Sequence, residues 1–316
     1  MSGTAASCDS MHDPHLREAS WCDLPRDREN IAPVGPPIWR WRVPVQTTGI
    51  EVDAYLGSFD SARASQDALL VMEYPDRIIL AVADGVTPTD RTPRIEGVDG
   101  AQHAARTVLN HVRAAPRSAE LRRILLIANG SLLARFGPAV RHDLHPRDRP
   151  QAAVVVLALA LAADGRVRQI ASARAADCEI WVLRRSTWSL QSPRVMLKEG
   201  PRTLLEQWDA AHPDAGYQQR IAEEMRILRD RSQWNLTALG RFERPKIESP
   251  PISDDFDELV LVTDGAKVAR VASGPLSEPP DWMAELRRSE ARHRPPGHGH
   301  SDVAMLHLRR AQSSMR

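Results

Sequence analysis

LAVADGV, residues 80–86, is an apolar strand that runs directly into an Asp-Gly pair. LVLVTDGA, residues 259–266, repeats the arrangement far downstream. Each strand ends on a carboxylate, Asp84 or Asp264, followed by a residue without a Cβ, Gly85 or Gly265. An Asp-Gly pair after a strand is ordinarily a turn, and Asp164-Gly165 is read as one. Two oily strands with the same ending raise a further expectation: the two aspartates meet over a metal ion.

The flanking sequence supplies the rest of the sheets. IWRWRVPVQT (38–47) and GIEVDAYLGS (49–58) alternate apolar and polar residues, and DALLVMEY (67–74) and RIILAVADG (77–85) follow as further strands. GAQHAARTVLNHVRAA (100–115) places Ala101, Ala104, Ala105, Val108, Leu109 and Val112 on one helical face. SAELRRILLIANGSLLARF (118–136) has the same period, with Ser118 as its expected cap. QAAVVVLALALAADGRVRQIASAR (151–174) reads as a hairpin, and CEIWVLRR and WSLQS continue the sheet. Residues 200–233 read as helical, most clearly GYQQRIAEEMRILRDRSQ, and 241–257 as a loop. ELVLVTDGA is a strand, DWMAELRRSEARH a helix and VAMLHLRR a last strand. Neighbouring strands are joined by short turns, not by a helix after each strand. That order disfavours a doubly wound parallel sheet and suits antiparallel sheets packed face to face, with helix pairs outside.

Bulk properties narrow the function classes. The chain has 316 residues, 42% hydrophobic and 26% charged, as in an ordinary soluble globular protein. A formal net charge of +1 gives no global field to attract nucleic acid or a membrane surface. The longest apolar run, AAVVVLALALAA at 152–163, is too short for a bilayer-spanning helix. The N-terminal sequence lacks a basic start followed by an apolar stretch, so no secretory signal is expected. Cys8, Cys22 and Cys178 are odd in number and widely spaced, against a disulfide framework or a paired-cysteine zinc site. A reducing cytoplasm is the simplest setting. Residues 1–38 are expected to be a disordered or loosely attached lead, and 39–312 the folded domain.

Five acidic residues sit at strand ends or beside strands. Asp67 opens DALLVM, Asp84 closes RIILAVA, Asp264 closes ELVLVT, Asp302 opens VAMLHL, and Asp177 precedes EIWVL. Carboxylates gathered within a few ångströms repel one another unless a cation lies between them. An oxygen-only donor set favours hard ions such as magnesium or manganese. Glycine after the carboxylate lets the chain turn sharply and bring a carbonyl oxygen close. Two such ions can activate water and stabilise a phosphoryl group in transfer.

Taken in order, SQDALLVM, AVADGV, GVDGAQHAART, ADCEIWVLR, ELVLVTDGA and HSDVAMLHL resemble the metal-dependent PPM-type (type 2C) serine/threonine phosphatases, from about residue 50 to 310. SARASQDAL is similar to the N-terminal motif of a bacterial branch of that family. The resemblance implies an α+β fold, a four-layer αββα sandwich of two antiparallel sheets flanked by helix pairs. It implies hydrolysis of phosphomonoesters by activated water, without a phosphoenzyme, on two Mn²⁺ or Mg²⁺ ions. Asp84 would bridge the ions, the Gly85 carbonyl would join the second, and Asp264 and Asp302 would complete the first. Asp67 would hold water beside them, and Asp177 would contribute to a third, weaker site. Arg63 is the candidate phosphate-binding residue, one position short of the family's spacing. The sequence departs from the pattern elsewhere too. Ala176 replaces the usual Gly before Asp177, VTPTDRTPRIEG replaces a glycine cluster, and Ser301-Asp302-Val303-Ala304 alters the last motif.

The implied substrate is phosphoserine or phosphothreonine of a partner protein, with a cognate Ser/Thr kinase as a further partner. The alternatives are a weak or inactive pseudophosphatase serving as a binding module, and a phosphatase of a small metabolite. Residues 200–240 occupy the place of the family's variable flap and, with 86–98, are where substrate choice is expected. His298 and His300 read as a solvated Gly-rich loop, with general-acid chemistry the alternative. Cys178 reads as a small core residue, and the tryptophans as core or sheet-face residues.

Overall fold

A computed structural model describes residues 49–58, 65–86, 92–95, 99–135, 148–191, 203–216, 238–241, 243–263 and 302–310. It also describes residues 219, 220, 223, 226 and 227, and the backbone of 17–20, 32–35, 38–44 and 199–202. Strands in these residues form two sheets in which every pairing is antiparallel. The six-stranded sheet runs β1 (Arg17–Ser20), β5 (Ala68–Tyr74), β6 (Arg77–Gly85), β7 (Ala152–Leu161), β8 (Val167–Ala175), β11 (Ile247–Glu248). The seven-stranded sheet runs β10 (Thr187–Leu190), β9 (Glu179–Arg184), β12 (Glu258–Val262), β13 (Asp302–Arg310), β4 (Ile50–Ser58), β3 (Ile38–Pro44), β2 (Ala32–Gly35).

Strand side chains alternate between faces, so each strand divides its residues between two environments. In β6, Ile78, Leu80 and Val82 enter the core between the sheets, while Ile79, Ala81 and Ala83 enter a second core under helices. Burial on both faces explains why this strand is apolar throughout. Leu69, Val71, Val155 and Leu157 join the inter-sheet core from the same sheet, and Val52, Ile180, Leu259, Leu261, Leu306 and Leu308 join it from the other.

Helices α1 (Gly100–Ala114) and α2 (Leu121–Arg135) cover the outer face of the six-stranded sheet. The buried face of α1 holds Ala101, Ala104, Ala105, Val108, Leu109 and Val112, the set its periodicity predicts. Asp99 caps it, its side chain accepting from the Ala101 amide at 2.8 Å. The start of α2 differs from the expected Ser118 cap. Ala119 N–H donates to Pro116 O, holding Ser118 inside a turn, and the first helical bond runs from Ile124 N–H to Glu120 O.

Two further differences concern β structure. Within the lead, β1 pairs with β5 and β2 with β3, although neither segment alternates in sequence. The proline-rich 241–257 loop contains β11, where Ile247 pairs with Ala175 and Glu248 with Arg174. The fold is α+β; among the described residues it comprises two sheets, with α1 and α2 on the outer face of the six-stranded one. The outer face of the seven-stranded sheet carries Asp53, Tyr55, Met305 and His307, all buried. A helix pair over that face is not among the described contacts, and DWMAELRRSEARH lies outside the described residues. The helix expected over 200–233 is described as α3 (Glu199–Ala211), while most of 217–237 lies outside the described residues. No helix among the described residues is long and apolar enough to cross a membrane.

The β8–β11 pairing is braced by a partly buried ion pair. Arg174 Nε and Nη2 both donate to Glu248 Oε2, at 2.8 and 2.6 Å. Burial alone would raise the Glu248 carboxyl, but hydrogen bonds from Lys246 and Arg174 outweigh it and hold its pKa below the usual value. A carboxyl with a depressed folded pKa contributes stability above its unfolded pKa and loses it as pH falls through the folded value. Glu248→Gln is therefore expected to cost about 1–2 kcal/mol at pH 7. That difference should close as pH falls below about 4, measured by urea unfolding across pH.

Candidate metal centre

The same alternation that builds the inter-sheet core continues to its rim. In β6 the inward series Ile78, Leu80, Val82 reaches Asp84 next. In β5 the series Val71, Leu69 reaches Asp67, and in β13 the series Leu308, Leu306, Ala304 reaches Asp302. The β5–β6 register pairs Ala68 with Ala83, so Asp67 stands across from Asp84 at the next position. In β12 the inward series Leu259, Leu261 reaches Thr263, the residue before Asp264. The rim of one core thus gathers carboxylates from both sheets.

Asp67 and Asp302 are 5% and 7% exposed, so each needs a donor to offset lost hydration. Each finds one on the opposite sheet. The Gln66 backbone N–H donates to Asp302 Oδ2 at 2.6 Å, and the Thr263 hydroxyl donates to Asp67 Oδ2 at 2.7 Å. Thr263 is fully buried, and its oxygen accepts from the Ala304 N–H at 2.9 Å. Sequence reading did not single out Thr263, and met Gln66 only as the residue before Asp67 in SARASQDAL. The signal for Thr263 was its parity with Leu259 and Leu261. Gln66 acts through its backbone, which carries no sequence signature. The Gln66 side-chain amide nitrogen is buried without a hydrogen-bond partner among the described residues.

Gly85 is required by space. A Cβ there would lie 2.6 Å from the carbonyl carbon and oxygen of Ala101 and 2.8 Å from Gln66 O. Backbone on both sides leaves no side chain to move aside. The start of α1 is also tied to the loop before β5, since Gln102 Nε2 donates to Ser65 O at 2.8 Å.

Asp177 lies in the turn that carries the chain from β8 in one sheet to β9 in the other. β9 begins opposite the end of β12, with Glu179 paired to Val262, which brings this turn to the same edge as Thr263. Ala176, in the position where the family pattern has Gly, adopts φ 63°. A side chain in this left-handed region is disfavoured. Arg174 braces the turn, its Nη1 donating to Cys178 O at 3.2 Å. Cys178 is a buried core thiol between the sheets, as read from the sequence.

Asp264, Gly265, Arg63, His298 and His300 lie outside the described residues. Among the described residues no group of three or more His, Cys, Asp or Glu side chains converges closely enough to hold an ion. The donors present nevertheless suit a hard cation. They are oxygen-only, two of the carboxylates are buried and hydrogen-bonded in place, and Gly85 presents bare backbone beside Asp84.

The chain has the fold of the PPM-type phosphatases. A structure of PppA, a regulatory component of the T6SS in Pseudomonas aeruginosa, matches with TM-score 0.51 at 16% identity, covering 82% of this chain and 97% of that one. The S. agalactiae serine/threonine phosphatase aligns at TM-score 0.48 and 13% identity, over 82% and 99% of the two chains. Stp1 of Staphylococcus aureus, also a serine/threonine phosphatase, aligns at 0.48 and 11%, over 82% and 94%. No family model and no curated protein sequence matches the chain. In this fold Asp67, Asp84, Gly85, Asp177 and Asp302 all fall at one end of the two packed sheets.

Two substitutions test this local geometry. Gly85→Ala is expected to lower stability by about 2–3 kcal/mol, because the new methyl meets backbone on both sides. Ala176→Gly is expected to raise it by about 0.5–1 kcal/mol, relief of the left-handed strain exceeding the added chain entropy. Chemical denaturation of both variants beside the parent measures each shift.

Proposed function

We propose that this chain is a metal-dependent phosphomonoester hydrolase that removes phosphate from phosphoserine or phosphothreonine of a protein. The observation that carries the reading is the pair of buried aspartates, Asp67 and Asp302, fixed by hydrogen bonds across two apolar sheets beside Asp84 and Gly85. Buried charge is costly, and a packed core gains nothing from bunching it. A cation resolves that cost.

Two Mn²⁺ or Mg²⁺ ions, when bound, supply activation of water and neutralisation of phosphoryl charge. Asp84, Asp302, Asp264 and the Gly85 carbonyl would hold them. Asp84, half-buried at the rim, would bridge the two ions. Asp67, buried and held by Thr263, would hold water beside them. Asp177 would contribute to a third, weaker site. Arg63 would neutralise equatorial phosphate oxygens as charge develops. In this reading the phosphatase-like domain spans 39–312, with β1 and β2 of the lead added to its sheets, and residues 200–240 and 86–98 shape the substrate's approach.

A second reading is a pseudophosphatase that keeps the sandwich as a binding module. It is favoured by Ala176, a side chain in the left-handed position where the family pattern has glycine. Gly85 favours catalysis, because its tight backbone contacts keep a carbonyl beside Asp84.

The deciding assay is p-nitrophenyl phosphate hydrolysis with and without manganese, beside Asp84→Asn. The expected result is manganese-dependent turnover that falls at least about 100-fold in the variant, with an unchanged circular dichroism spectrum. Full activity in Asp84→Asn overturns the site. No turnover by the parent, on this substrate or on a phosphopeptide panel, favours the binding module.

A further inference from the structure

We infer that Thr263 is a positioning residue of the metal centre, setting ion affinity by fixing the Asp67 carboxylate. The inference rests on the metal-dependent reading above. A threonine hydroxyl has one proton to give. Its oxygen already accepts the Ala304 N–H at 2.9 Å, so the proton is directed elsewhere. Two acceptors are in range, Asp67 Oδ2 at 2.7 Å and Ala304 O at 3.3 Å. The carboxylate is nearer and is the stronger acceptor. The Ala304 carbonyl already takes the Thr263 backbone N–H at 3.1 Å. The hydroxyl therefore passes a hydrogen-bond chain from the β13 backbone, through a β12 residue, to a carboxylate on the other sheet.

The use of the hydroxyl separates this role from filling space. Thr263 is fully buried at the end of an apolar series, where valine would satisfy packing and strand preference equally well. Only the hydroxyl distinguishes them, and both of its hydrogen-bonding capacities are used. Polar groups that orient metal-site carboxylates tune affinity without touching the ion.

The test is calorimetric titration of Mn²⁺ into the full chain and its variants, with thermal unfolding of each ion-free protein recorded alongside. Thr263→Val is expected to weaken Mn²⁺ binding about tenfold. Thr263→Ser, which keeps the hydroxyl, is expected to stay within about threefold of the parent. In an Asp67→Asn background, Thr263→Val is expected to weaken binding no further, because its route to the ions is already gone. If Thr263→Val does not fold, Thr263→Ala removes the same hydroxyl with less bulk and carries the same expectation. Parent-like Mn²⁺ affinity in the hydroxyl-free variant overturns the inference. So does an equal loss in the Asp67→Asn background, which would mean that Thr263 acts through the fold alone. A parent chain that binds no Mn²⁺ overturns the metal reading itself, and the two failures are told apart by that first titration.

Discussion

Two buried carboxylates on opposing sheets must each be given a hydrogen bond, and in this protein each sheet supplies the other's. Gln66, before β5, donates its backbone N–H to Asp302 at the start of β13. Thr263, after β12, donates its hydroxyl to Asp67 before β5. Neither sheet can shift along the other without breaking one of these bonds. A hydrogen bond to a charged group contributes about 1.5–3 kcal/mol, and an orphaned buried charge costs more. The exchange fixes how the sandwich is stacked at the edge where chemistry is proposed.

The rest of the edge follows from that constraint. With the sheets stacked, inward parity delivers Asp84 from β6 and Asp67 from β5 as neighbours in one register. Gly85 then has no room for a side chain, because α1 and the loop before β5 press on it from both sides. The β8–β9 turn crosses between sheets at the same edge and is braced by Arg174, itself paired to Glu248.

Much of this was legible in sequence because it is periodic. The buried face of α1, the β7–β8 hairpin and the strands ending on Asp84 and Asp67 follow from spacing of 3.6 or 2. The remainder depends on partners far along the chain. Glu248 looks like one acid among several in a proline-rich loop until Arg174, 74 residues earlier, pairs with it. Thr263 looks like any strand-end threonine until Asp67, 196 residues away, appears opposite. Ser118 looks like a cap, but Pro116 starts a turn that postpones the helix. β1 and β2 borrow their regularity from the strands they border and have no pattern of their own. Asp264 and Arg63, outside the described residues, rest on family resemblance.

The position of β13 has a consequence for how the molecule comes into being. It is the last strand among the described residues, yet it lies inside its sheet, between β12 and β4. Until it arrives, β4 and β12 are separate edges, and Gln66 lacks the carboxylate that lies 236 residues downstream. A chain without β13 therefore carries an open slot through one of its two sheets. Closing so long a loop is slow compared with forming the local hairpins. The candidate centre is completed in the same step that seals the core, so a partly folded chain lacks both its full set of ligands and its sealed interior.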